Sequence, residues 1–127
     1  MTAALIETNV VVDLLRLYSP AVDWLHKQSQ SILGITPIIW MEVITGGDNK
    51  LERQRAAQVM EQFEMIYLTQ ADLEWAMETQ MRYELSHGVG MMDCLIASVS
   101  HRLQVPLYTH NLKHFAPLLG NLAQKPY

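Results

Sequence analysis

The chain has 127 residues, half of them hydrophobic, and a single cysteine, Cys94. That length suits one domain able to bury a core of its own, and one cysteine excludes an internal disulfide framework. Thirteen acids against nine Lys and Arg leave a formal net charge of −4, which excludes a generic basic nucleic-acid coat but not a nucleic-acid enzyme whose metal supplies positive charge locally.

No apolar run reaches the ~18–20 residues needed to span a bilayer, and Glu7 interrupts an N-terminal stretch that has no basic leader. A cytoplasmic protein without a membrane anchor is the expectation. No repeat or low-complexity linker divides the sequence, so residues 1–127 are expected to form one domain.

In chain order, Ala3-Ala4-Leu5-Ile6 reads as a buried strand turning into a helix at Glu7-Thr8-Asn9, with Thr8 or Asn9 as its cap. The helix runs through Val10 to Leu17 and stops before Pro20. Ala21 to Lys27 reads as a short helix with Val22 and Leu25 inward. Ile32 to Thr36 is a second buried strand, and Pro37 opens a helix through Thr45 that Gly46-Gly47 ends. Leu51 to Phe63 is amphipathic, with Ala56, Val59, Met60 and Phe63 on one face. Met65 to Leu68 reads as a strand. Ala71 to His87 repeats helical spacing through Leu73, Met77 and Met81, and core membership is expected for Trp75, Met77, Met81 and Tyr83. Met91 to Leu103 is apolar enough to be a central helix, and Val105 to Tyr108 supplies a last short strand. Strands alternating with helices predict an α/β three-layer sandwich, a central parallel sheet of four or five strands with helices on both faces. Ligands of such sheets bind beyond the carboxyl ends of the strands.

Three carboxylates stand alone in segments that otherwise read as core. Glu7 is the only ionisable side chain from Met1 to Val12, Glu42 the only charge between Lys27 and Asp48, and Asp93 the only formal charge between Glu84 and Arg102. A buried carboxylate without a partner is costly, so three of them make chemical sense if they converge on something positive. Oxygen donors of this kind suit Mg²⁺ or Mn²⁺, and such an ion can activate a water for attack on a phosphate. Taken singly, each has a plainer reading: Asp93 as a helix-dipole or capping residue, Glu42 on a solvated stripe, Glu7 at an exposed strand end. His110 and His114 could be phosphate donors or metal ligands but read first as surface or hydrogen-bonding groups, and of the basic residues that could steer RNA, Arg16, Lys50, Arg53, Arg55, Arg102 and Lys113, the dense run from Lys50 to Arg55 reads as a solvated helix face.

Four motifs resemble the PIN domain, and within it the small VapC-type toxins of bacterial toxin–antitoxin pairs. Leu5-Ile6-Glu7-Thr8-Asn9 followed by the apolar Val10-Val11-Val12 is similar to the opening motif. Ile35-Thr36-Pro37-Ile38-Ile39-Trp40-Met41-Glu42 is similar to the second, and Asp93-Cys94-Leu95-Ile96-Ala97 to the third. Thr109-His110-Asn111-Leu112-Lys113-His114-Phe115 resembles the closing segment. The resemblance implies a Mg²⁺- or Mn²⁺-dependent endoribonuclease acting on RNA, a homodimer, and a small antitoxin that blocks the acidic pocket. It implies Glu7 and Asp93 as principal metal ligands, Glu42 completing the acidic cluster, and Asn9, Thr109 and Asn111 supporting the pocket. The alternative for Trp75, Met77, Met81 and Tyr83 is a surface for a second copy or the antitoxin.

The chain departs from the pattern twice. The family's first acid is usually aspartate, and here it is Glu7; the extra methylene moves the carboxylate by ~1.5 Å, a displacement of the size that can cost ~10²-fold in rate. Many relatives carry a fourth acid where this chain has Asn111. Both changes weaken the expected metal site and support an alternative, a degenerate domain with little or no nuclease activity that acts as a protein-binding module.

Overall fold

A computed structural model describes residues 1–127 in full. Five strands, β1 Ala4–Ile6, β2 Leu33–Ile35, β3 Glu64–Met65, β4 Leu107–Tyr108 and β5 Ala123–Gln124, form one sheet in the order β3-β2-β1-β4-β5, and every neighbouring pair is parallel. The α/β class and the parallel sheet are as the sequence predicts, with five strands. Seven helices, α1 Thr8–Leu15, α2 Ser19–Lys27, α3 Pro37–Thr45, α4 Lys50–Met60, α5 Gln70–His87, α6 Met91–Leu103 and α7 Leu112–Leu119, connect and cover them. None is long and apolar enough to cross a membrane.

β1 lies at the centre because all three of its residues are apolar, and all three are buried. Strands covered on both faces read as continuous apolar runs rather than alternating ones. Gly34 lets β2 approach closely: a Cβ there would stand 3.0 Å from side-chain atoms of Leu5 and Thr2. α6 is buried around most of its circumference, and its two core hydroxyls are satisfied internally, Ser98 donating to Leu95 O and Ser100 to Val105 O, both at 2.6 Å. The strand order reverses at β1, so the crevice of the switch point opens beyond the ends of β1 and β4.

Several local expectations change for identifiable reasons. α1 ends at Leu15, not Leu17, and Pro20 opens α2 rather than merely limiting α1, since proline suits the first helical turn. The residue before α1 is Glu7, without a side-chain cap; the polar groups of Thr8 and Asn9 are engaged elsewhere. Ala21 and Trp24 are the buried residues of α2, with Val22 and Leu25 only partly covered. On α5 the spacing misleads. Leu73, Met77, Met81 and Leu85 are exposed, while Asp72, Ala76 and Thr79 are buried and Trp75 and Tyr83 pack partly against the core. Asp72 can face inward because it caps α5 together with Thr69 and receives Arg102 Nε at 3.0 Å on both oxygens. β3 begins at Glu64 and is only two residues long, and β5 was too short to leave a pattern.

The α1–α2 turn carries strain. Leu17 adopts φ +56°, with its N–H donating to Leu14 O and that of Tyr18 to Asp13 O, the arrangement that usually places glycine after a helix. Leu17 is 78% exposed, so its side chain contributes little burial against the left-handed backbone cost of ~1–2 kcal/mol. Leu17→Gly is therefore expected to raise stability by about 0.5–1 kcal/mol after the entropy lost by glycine, read as a higher midpoint in urea denaturation with unchanged slope.

Candidate functional site

The loops at the carboxyl ends of β1 and β4, with α1, α3 and the start of α6, surround a cleft of about 890 Å³, within the size range of small-ligand sites. Glu7, Glu42 and Asp93 all line it, together with Asn9 and Asn111. Thr109 is fully buried beneath the cleft and meets it through Glu7. The three acids distant in sequence thus share one hollow, and no arginine is bonded to any of them.

Glu7 is the deepest of the three, 7% exposed. Its position is forced: it follows the central strand without a break, and its backbone N–H still pairs with Tyr108 O at 3.0 Å. Asn9 Nδ2 and Thr109 Oγ1 donate to Glu7 Oε1 at 2.7 and 2.9 Å. Asn9 also accepts from the His110 N–H at 3.3 Å, and Thr109 Oγ1 accepts from the Asn111 N–H at 2.9 Å. The loop after β4 is in this way laced to the loop after β1. Burial raises the Glu7 carboxyl above its ordinary value; the hydroxyls of Thr109 and Thr8 draw it back, and the charge of Glu42 pushes it up further.

Glu42 reaches the cleft from α3, whose start is fixed by Thr36 accepting from the Ile39 N–H and by Pro37 in the first turn. Its Oε1 accepts a hydrogen bond from Thr8 Oγ1. Asp93 sits in the first turn of α6 and accepts from the Gly90 N–H at 3.0 Å, so the capping role is realised alongside a place in the cleft. Its Oδ2 also lies 3.1 Å from His114 Nδ1, and the same nitrogen lies 3.1 Å from Asn111 Nδ2. That nitrogen can donate to Asp93 or accept from Asn111, not both at once.

Each acid is thus held by a neighbour from another segment. As they stand, no three His, Cys, Asp or Glu side chains are close enough to hold an ion between them. The donors facing the cleft are nonetheless carboxylate and amide oxygens, the chemistry of a hard divalent cation, while the one thiol, Cys94, is buried in the core.

Sequence reasoning did not place Thr8 or Asp13 at the site, named Arg16 only among the basic residues that could steer RNA, and read His114 first as a surface or hydrogen-bonding group. Asn9, Asp13 and Arg16 are spaced i, i+4, i+7, one face of α1, a signal that was available. Asp13 and Arg16 both line the cleft, and Asp13 Oδ2 accepts from the Tyr127 hydroxyl at 2.7 Å. His114 was legible only as part of the closing motif, because its partner Asp93 is 21 positions away.

The PIN domain model matches residues 4–116 of this sequence. The chain is a PIN domain. Among solved structures, the PIN domain is similar to a chain of a toxin–antitoxin complex from Klebsiella pneumoniae, with 25% identity, TM-score 0.79 and 98% of each chain covered. It is similar in fold to a chain of VapBC2 from Rickettsia felis bound to a promoter DNA fragment, with 20% identity, TM-score 0.76, and 90% of this chain and 91% of that one covered. A chain of DNA-bound VapBC from Salmonella typhimurium gives 19% identity and TM-score 0.73 over 91% of each. A comparison with curated proteins finds no match.

The buried acid makes a linkage prediction. A carboxyl whose folded pKa is raised holds its proton longer in the folded state, so stability falls as pH rises from the unfolded value near 4.5 through the folded one. Glu7→Gln keeps an oxygen for Asn9 and Thr109 and removes the charge. In EDTA its melting temperature is expected to exceed the parent's at neutral pH, with the gain shrinking below pH 4.5. Added Mn²⁺ should raise the parent's melting temperature and leave the variant's nearly unchanged.

Proposed function

We propose that this PIN domain is the toxin of a toxin–antitoxin pair, a VapC-like, divalent-metal-dependent endoribonuclease that hydrolyses RNA phosphodiesters in the cytoplasm. The observation that carries the reading is the cleft itself: Glu7, Glu42 and Asp93, contributed by three separate segments, open together at the switch point of the sheet. The similarity over nearly the whole chain to a protein of a toxin–antitoxin complex supports the biological setting.

Mg²⁺ or Mn²⁺ would be held by Glu7 and Asp93, with Glu42 completing the set; bound there, the ion supplies an activated water and offsets charge on the phosphate. The protein's own contribution is positioning. Asn9 and Thr109 fix the Glu7 carboxylate, Thr8 holds Glu42, and Gly90 with His114 holds Asp93. Asn111 supports the rim. An antitoxin presenting a basic side chain would find the same acids, and so block the site by charge complementarity.

A homodimer belongs to the same proposal. Leu73, Met77, Met81 and Leu85, between 46% and 99% exposed, form an outward apolar stripe along α5, the kind of surface that marks an interface. Antiparallel pairing of two copies about the level of Thr79 sets Leu73 opposite Leu85 and Met77 opposite Met81, the self-complementarity a two-fold contact requires.

A specific observation also favours a second reading, in which the domain binds a partner without cutting RNA: no three acidic or histidine side chains stand within ion-holding distance of one another, and the first acid is Glu7 rather than aspartate.

The purified protein is expected to cut structured RNA with Mn²⁺ or Mg²⁺ and to stop in EDTA. Asp93→Asn, which keeps an oxygen for the Gly90 N–H, should lower cleavage by about 10²-fold or more while leaving circular dichroism unchanged. Glu7→Asp should raise cleavage. Silence of both the parent and Glu7→Asp at saturating Mn²⁺ would establish the binding-module reading. Light scattering should give twice the chain mass for the parent and the single-chain mass for Met81→Glu; a monomeric parent would dispose of the homodimer.

A further inference from the structure

The cleft is lined by four carboxylates, Glu7, Asp13, Glu42 and Asp93, and by one cation, Arg16. In so acidic a setting a guanidinium would ordinarily be found in an ion pair. Arg16 is not: the one Arg or Lys paired with a carboxylate is Arg102, with Asp72, and Asp93 has His114 as its neighbour. It is exposed at the carboxyl end of α1, and its backbone is fixed there, its N–H donating to Val12 O at 3.0 Å while the Tyr18 N–H closes the turn onto Asp13 O. The base of the side chain is anchored and the charged head is free.

Arg16 and Val12 also line a second groove that adjoins the cleft, whose other charged residues are Arg55, Asp48 and Glu52. A strand leaving the acidic cleft for this groove passes Arg16, which lines both. Building on the nuclease reading, we infer that Arg16 is a substrate-binding residue that grips a backbone phosphate of RNA adjacent to the one presented to Glu7, Glu42 and Asp93. The chemistry is specific. A polyanion approaching four carboxylates is repelled, and a guanidinium offers paired donors whose geometry matches phosphate oxygens. With no ion pair to break, Arg16 offers that charge without a competing interaction. A protein segment in the same groove would instead meet Arg16 with a carboxylate, and the test separates the two.

The experiment measures binding of a fluorescently labelled single-stranded RNA oligonucleotide as a function of KCl, in the Asp93→Asn background so that no substrate is consumed. Arg16→Ala is expected to weaken binding about tenfold at low salt and to reduce the slope of log affinity against log salt by about one. Arg16→Lys should keep most of the slope and recover part of the affinity. Lys27→Ala, at the far end of α2 where the chain turns back toward the start of β2, should behave as the unsubstituted chain. An Arg16→Ala protein with unchanged affinity and slope overturns the inference, as does a loss confined to binding of a partner protein. Arg16-dependent RNA binding without cleavage by the parent would sink the nuclease reading and leave this one standing. Cleavage with an unchanged KM in Arg16→Ala would do the reverse, and absence of RNA binding altogether overturns both.

Discussion

The structure turns on a carboxylate placed where a core residue should be. Ala4-Leu5-Ile6 is the most enclosed strand of the sheet, and the next residue, Glu7, inherits its burial before the chain can reach solvent. An ionised carboxylate in such a place is costly unless hydrogen bonds or a cation offset the loss of water. Asn9 and Thr109 supply the hydrogen bonds, and that requirement fixes the geometry of two loops. Asn9 is the second residue of α1 and Thr109 the first after β4, so satisfying one acid joins the loops on either side of the switch point. The electrostatic penalty that remains, shown by the raised Glu7 carboxyl and the contribution of Glu42 to it, is what makes the cleft receptive to positive charge.

Asp93 solves a different problem with the same atom type. As the third residue of α6 it satisfies the Gly90 N–H and faces the positive end of the helix, so its charge costs less than that of Glu7. Capping and cleft membership, which the sequence presents as rival readings, coexist because a helix starting at a sheet edge aims its first turn into the crevice. The same economy explains α1. Thr8 and Asn9 would make ordinary helix caps, yet their polar groups are spent on Glu42, Glu7 and the His110 N–H, and the helix begins uncapped. Local helix stability is given up for fixed acids.

Most of the architecture was legible because buried parallel strands and their helices announce themselves as apolar runs with punctuation: Pro37 after β2, Gly46-Gly47 after α3, Gly88 after α5. The three acids were legible for the opposite reason, as charges in those runs. What escaped was of two kinds. β3 reads as Met65 to Leu68 and is only Glu64–Met65, and β5, missed altogether, is too short to carry a period, its pairing supplied by its neighbour rather than by its own residues. On α5 an apolar stripe at i, i+4, i+8 and i+12 was indistinguishable from a core face; only the tertiary partners of Asp72, which place that acid inward against Arg102, show that Leu73, Met77, Met81 and Leu85 lie outward. Arg16 and Asp13 share the helical face of Asn9, so their arrival at the cleft follows from spacing once Asn9 is known to face it. His114 could not be so derived, since its place depends on where α7 docks.

The two departures from the PIN pattern act differently, one on charge and the other on reach. A fourth carboxylate at position 111 would add repulsion to a cleft that already holds Glu7, Asp13, Glu42 and Asp93. Asn111 removes that charge, and His114, one turn further along, lies within 3.1 Å of both Asn111 and Asp93, so a neutral amide and an imidazole stand where an acid would compete for the same cation. Asparagine at the last position therefore removes a negative charge from the rim, whereas glutamate at the first keeps the charge and lengthens the reach of its carboxylate, so the two changes act on the cleft in different ways.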